Sequence, residues 1–267
     1  MIYGTVRMDI LQVFATCLHS RPFLNGEVEK APELFGVHST FRSVHALSFA
    51  RSGAHSRDGA LAERVAPWLR KLKSEDVIVL RPLLTPCPIH FQSDASLEWG
   101  FVTDGDRGFE LWQPTWKARV IGRDDDAPFK VTYTGTRYSR WSVTPPPSVA
   151  ESTVRLGDCL SRVQAFLEPY PDRSLKLAVR QCFEAHHTSR LEVPGMNDLI
   201  PAGLELGAAT LAASSARTYR LVTSPAWSSM AAQSETPPPI LLEIWRETMG
   251  CFESAGWAQE AALRKSA

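Results

Sequence analysis

The chain has no excess of either charge: 29 Lys and Arg stand against 29 Asp and Glu in 267 residues. A protein that works on nucleic acid or an anionic membrane surface carries a basic excess, because Lys and Arg make those contacts. Long apolar runs are missing as well. The run Ile10 to Leu18 is broken by Gln12 and Thr16, and a bilayer takes about 20 residues. Only Arg7 precedes it as a positive charge and no small-residue cleavage site follows, so it does not read as a secretion signal. Cysteine is scarce and unpaired. Cys17, Cys87, Cys159, Cys182 and Cys251 are odd in number and include no CxxC, which speaks against a disulfide framework and for a reducing, cytoplasmic setting. All but Cys87 fall on apolar faces of expected helices, where a free thiol packs as a small hydrophobe. There is no GxSxG elbow, no P-loop and no GxGxxG after a strand, and Asp124–Asp126 lacks the spaced ligands and glycine of a calcium loop.

What is present is a globular composition, 44% hydrophobic and 22% charged, in a chain long enough to bury about three quarters of its unfolded surface without a disulfide or metal. Its texture changes at Pro145-Pro146-Pro147. Ahead of that point the spacing predicts a helix over 8–19, a loop over 20–37, and a helix capped by Ser39 or Thr40 running to about Arg51. A further helix is expected over 59–73, capped by Asp58 and kinked at Pro67. Strand signals follow: Val77–Leu80, then two hairpins over 98–113 and 115–134. Phe129, Val131 and Tyr133 alternate with polar residues, and Gly135 is expected to break the ladder. Connections this short imply an antiparallel meander. Beyond the prolines, Ser148 and Glu151 match a capping box, Asp172 can cap a second helix, and a third, alanine-rich helix covers about 204–221. A polar linker spans 223–239, and a last helix starts at Pro239 and stops at Gly256. The expectation is an α+β protein of two parts: helices plus antiparallel sheet over 1–142, and a helical part over 148–267 packed on the first.

Four groups of residues are candidates for chemistry. His45, His55 and Asp58, with His38 nearby, could run acid/base chemistry or hold a metal, although their spacing matches no zinc motif and surface or capping histidines are the plainer reading. Cys182 and His186, four apart on one helical face, could seat two zinc ligands; a core or helix-end histidine, favoured by the helix dipole, is the alternative. The aromatics of the sheet, Trp112 and Trp116 among them, could stack bases. Seven basic residues there meet seven acids, however, and strands favour aromatics for packing alone. The fourth candidate is the loop over 188–203, where Pro194-Gly195 forms a turn, Met196 and Leu199 are apolar anchors, and Asn197 or Asp198 can bond backbone N–H groups. It is expected to be ordered.

That loop also carries a resemblance. Pro194-Gly195-Met196-Asn197-Asp198-Leu199, after a helix pair that follows a proline run, resembles small bacterial proteins with a glycine-methionine…asparagine-aspartate loop. The likeness covers about 143–200, and this chain lacks the residues those loops place between Met and Asn. It implies a bacterial accessory or immunity-type protein and no particular chemistry. The function expected is therefore a cytoplasmic, non-catalytic protein-binding module. The rival is a metal-dependent or acid/base enzyme using His45, His55 and Asp58. The expected partner is another protein, with neither membrane nor nucleic acid involved, and the sequence names no cofactor.

Overall fold

A computed structural model describes residues 6–52, 60–84, 99–105, 108–118, 128–138, 145–232 and 238–263. The protein is α+β. It divides into two compact units, one of Met1–Leu83 and Glu98–Thr144, the other of Leu84–Leu97 and Pro145–Ala267.

In the first unit, α1 (Val6–Leu24) and a short 3-10 turn (Ser39–Phe41) precede β1 (Val44–Arg51), α2 (Val65–Lys73) and four further strands. These are β2 (Val77–Leu83), β3 (Gly100–Gly105), β4 (Gly108–Ala118) and β5 (Phe129–Tyr138). The sheet order is β1-β5-β4-β3-β2. Strands β2 to β5 form the antiparallel meander, and β1 adds to β5 in parallel, making the sheet mixed.

Strand β1 lies where the sequence predicts a helix. The register slips between Val44 and Ala46, so Val44 and Leu47 are both buried across a bulge. Their three-residue separation imitates a helical stripe. Helix α2 starts at Val65, later than expected, which puts Pro67 in the first turn where its missing N–H breaks no intrahelical bond. No kink is needed there. Gly135 also behaves differently from its expected role: it lies within β5 opposite Trp112. A Cβ at Gly135 would come within 3.0 Å of the indole ring, so the glycine makes room for the tryptophan.

The core of this unit is aromatic. Trp68 of α2 stacks on Phe49 at 4.3 Å and meets Trp112 edge-on at 5.3 Å, while Tyr133 lies 5.2 Å from Phe49 and 4.7 Å from Phe101. All five rings are buried. At the rim, Arg51 grips two carboxylates at once. Its Nε and Nη2 donate to Glu110 at 2.8 and 3.0 Å, and its Nη1 and Nη2 donate to Glu75 at 3.1 and 2.6 Å. The hydrogen bond from Arg51 holds the Glu75 carboxyl below its usual range.

In the second unit, α3 (Val149–Leu167) and α4 (Arg173–His187) precede α5 (Leu206–Val222), α6 (Pro225–Ala231) and α7 (Pro239–Leu263). The Ser148 Oγ accepts from the Glu151 N–H at 3.2 Å. The Glu151 carboxylate turns to Arg155 instead of completing the box. Asp172 caps α4 through the N–H groups of Ser174 and Leu175. Helix α5 buries 13 of its 17 residues, mostly Ala and Ser, and touches α3, α4, α6 and α7. Small side chains on every face let it sit centrally. Helices α3 and α7 run antiparallel: Arg162 pairs with Glu243, and Ser152 Oγ shares a 2.8 Å hydrogen bond with Ser254 Oγ. Two expectations change here. The linker contains α6, which Ser224 caps and Trp227 and Met230 anchor, and α7 continues through Gly256 to Leu263.

Candidate functional site

The chain leaves α4 through Ser189, whose φ of 52° turns it away from the helix axis. Two successive turns follow: Met196 N–H donates to Val193 O at 2.9 Å, and Leu199 N–H donates to Met196 O at 3.1 Å. Gly195, at φ 73°, supplies the left-handed residue of the first turn. Val193 and Leu199 are fully buried, Met196 half-buried and Asn197 exposed. From α5, Arg217 donates through Nη2 to the carbonyls of Arg190 (2.7 Å) and Glu192, and Arg220 donates to that of Pro194. Two guanidiniums one helical turn apart thus bind three consecutive alternate carbonyls of the loop. Charged donors make the stronger kind of hydrogen bond. The result is a surface loop with a determined backbone that presents Pro194, Gly195 and Asn197 outward.

Sequence reasoning found the loop but missed its two arginines. A signal was there: Arg217 and Arg220 are the only charged residues in α5, and charge in an otherwise small and apolar helix asks for a specific partner.

Cys182 and His186 both lie on α4, facing inward. The His186 Nε2–H donates to Thr153 O of α3 at 3.0 Å, and Gly157 leaves the notch that the ring occupies, since a Cβ there would meet Nε2 at 3.0 Å. His186 Nδ1 is buried without a hydrogen-bond partner. Burial, and then the neighbouring His187, lower the His186 pKa. Burial pushes the Cys182 thiol up to about 11, against the opposing pull of Arg217 and Arg220. Among the described residues, no group of three or more His, Cys, Asp or Glu is placed to hold a metal ion.

His45 sits on β1, half-buried, while His55 and Asp58 lie outside the described residues. His38 caps the 3-10 turn through Nδ1, which accepts from Thr40 N–H at 3.2 Å. Trp112 is a core residue whose Nε1–H donates to Thr103 Oγ1 at 3.1 Å. Trp116, further along β4, is half-buried and packs edge-on against Phe129 at 5.6 Å. Asn197 and the half-buried Asp198 both belong to the arginine-held loop. Among the described residues no helix is long and apolar enough to cross a membrane.

Compared with protein-family models, curated proteins and solved structures, the chain finds no match in any of the three.

Proposed function

We propose that the chain is a non-catalytic, protein-binding accessory module of the immunity type, working in the cytoplasm and meeting its partner through the loop over 190–200. The observation that carries this reading is the loop's backbone, held by Arg217 and Arg220 and anchored by buried Val193 and Leu199, with Asn197 left exposed. Ordering a residue on binding costs about 1–2 kcal/mol, so a loop already held loses less when a complex forms. Balanced charge favours a protein partner over nucleic acid. The four described cysteines are buried free thiols, in keeping with a reducing compartment. The resemblance of 143–200 to bacterial accessory proteins gives the immunity-type assignment.

The test is a photo-cross-linking residue placed at Asn197 in the host cell, with a control at Arg155 on α3. A single heavier adduct at 197, identified by mass spectrometry and lost when Arg217→Ala is added, is the expected result. Adducts at the control position and none at 197 would overturn the reading.

A further inference from the structure

We infer that the groove between α3 and α4 is a docking site for an acidic peptide segment bearing a bulky apolar residue. The inference rests on the protein-binding reading and specifies the chemistry of the partner, at a surface formed by different residues from those of the 190–200 loop.

The groove has a volume of about 330 Å³, with Leu167 and Val179 at its floor. Arg173, Lys176 and Arg180 of α4 line it at spacing i, i+3, i+7, which sets three cations along one side of the helix. Leu177 lies among them and is 56% exposed. From α3 the lining receives a single acid, Glu168.

The charges are only partly met within the protein. Arg180 pairs with Glu184 at 2.7 Å. Lys176 donates to the backbone carbonyl of Glu168, which caps α3 and leaves the ammonium without a carboxylate. Arg173 forms no ion pair among the described residues. The nearby Asp172 carboxylate is turned onto the N–H groups that open α4. Glu168, Asp172 and Glu184 balance the three cations in number, but Arg173 and Lys176 keep N–H donors that no carboxylate occupies, and these suit acidic side chains. An exposed leucine over an apolar floor calls in addition for an apolar side chain, which a polyphosphate or nucleic-acid backbone lacks. Together these features point to a peptide in which Glu or Asp alternates with Leu or Phe, lying along α4.

The test uses the full chain and a fluorescein-labelled twelve-residue peptide of repeating Glu-Glu-Leu, followed by anisotropy and by amide chemical-shift mapping. The expected result is saturable binding that shifts amides of 164–180, weakens at least fivefold from low to 300 mM salt, and falls at least tenfold in Arg173→Glu/Lys176→Glu. Leu177→Ser should weaken it about threefold or more. Peptide changes on the unaltered protein serve if a variant fails to fold: Ser for Leu should weaken binding, and Lys for Glu should abolish it. Absent binding, shifts confined elsewhere, or polyphosphate binding as tightly as the peptide overturns the inference. The cross-linking result at Asn197 stands or falls separately, so failure of the groove and failure of the loop reading are distinguishable.

Discussion

At the scale of single residues, stability in the first unit depends on groups that cannot lose their partner. Glu75 and Glu110 are each only 7% exposed, and both face Arg51. Arg51→Met should cost about 3 kcal/mol at neutral pH, because it removes the shared counter-charge of two desolvated carboxylates and leaves Glu75 only its partly exposed Lys71 at 3.3 Å. Arg51 holds the Glu75 pKa down, so this stabilisation is present above the ordinary carboxyl range and is lost as pH falls through it. The deficit of the variant in urea unfolding should therefore shrink between pH 7 and pH 4; a constant deficit would argue against the ion triad. His186 follows the opposite ionisation. Its folded pKa is lowered from 6.5 by burial, so the folded state holds it neutral. Its contribution is complete above about pH 6.5 and declines as pH falls below that value, where the unfolded chain takes up the proton first. Urea midpoints of wild type and His186→Gln should converge from pH 7.5 to pH 5. Gly157→Ala, which would crowd the same ring, should destabilise by about 1–3 kcal/mol.

At the scale of elements, the loop over 188–205 is held from both sides. Leu199→Ala should lower stability by about 3 kcal/mol through the cavity it leaves. Arg217→Ala should leave the global melting temperature less affected while speeding amide exchange at Met196 and Leu199, the two N–H donors of the turns. Slow exchange at both in Arg217→Ala would assign the order of the loop to packing alone. The sequence shows which of these elements are locally determined. Helices α3 and α4 were legible because Ser148 and Asp172 cap them and their apolar stripes are regular. Strands β3 to β5 were legible because they are joined by local connections. Strand β1 was not, for two reasons. A bulge gives it helix-like spacing, and its partner β5 lies more than 80 residues away in the chain, with the parallel register set by contacts that no local window contains. Helix α6 was hidden in a polar stretch, with Trp227 and Met230 the only apolar marks of its buried side. In the candidate site, Leu199 as an anchor followed from the sequence. The arginine–carbonyl bonds did not, because backbone carbonyls are present at every position and leave no trace in composition.

At the scale of the whole molecule, the units are not consecutive stretches of chain. Leu84, which directly follows β2, already belongs to the second unit. It is fixed there by Glu253 of α7, whose Oε1 accepts from the Leu84 N–H at 2.9 Å. Burial raises the Glu253 carboxyl to about 7, against the lowering effect of that hydrogen bond. The folded form thus prefers a neutral group. Its contribution is complete below the unfolded value of about 4.5 and is lost as pH rises through the folded value of about 7. Glu253→Gln keeps an acceptor and removes the charge, so it should raise the melting temperature at pH 8 and change it little at pH 4.5. A loss at pH 8 would show that the ionised carboxylate is the stabilising form.

The bond from Leu84 to Glu253 also sets an order of events during protein synthesis. The two residues are 169 positions apart, and at 5–20 residues per second about 8–34 s separate their emergence from the ribosome. Through that interval the Leu84 N–H has no α7 to receive it, while β3, β4 and β5 emerge behind it and complete the sheet with the waiting β1. The first unit can close before the second exists, and the second closes only when the last helix is made. A stall or truncation before α7 would therefore release a finished sheet followed by helices α3 to α6 without the helix that α3 and α5 pack against, and with Leu84 lacking its acceptor.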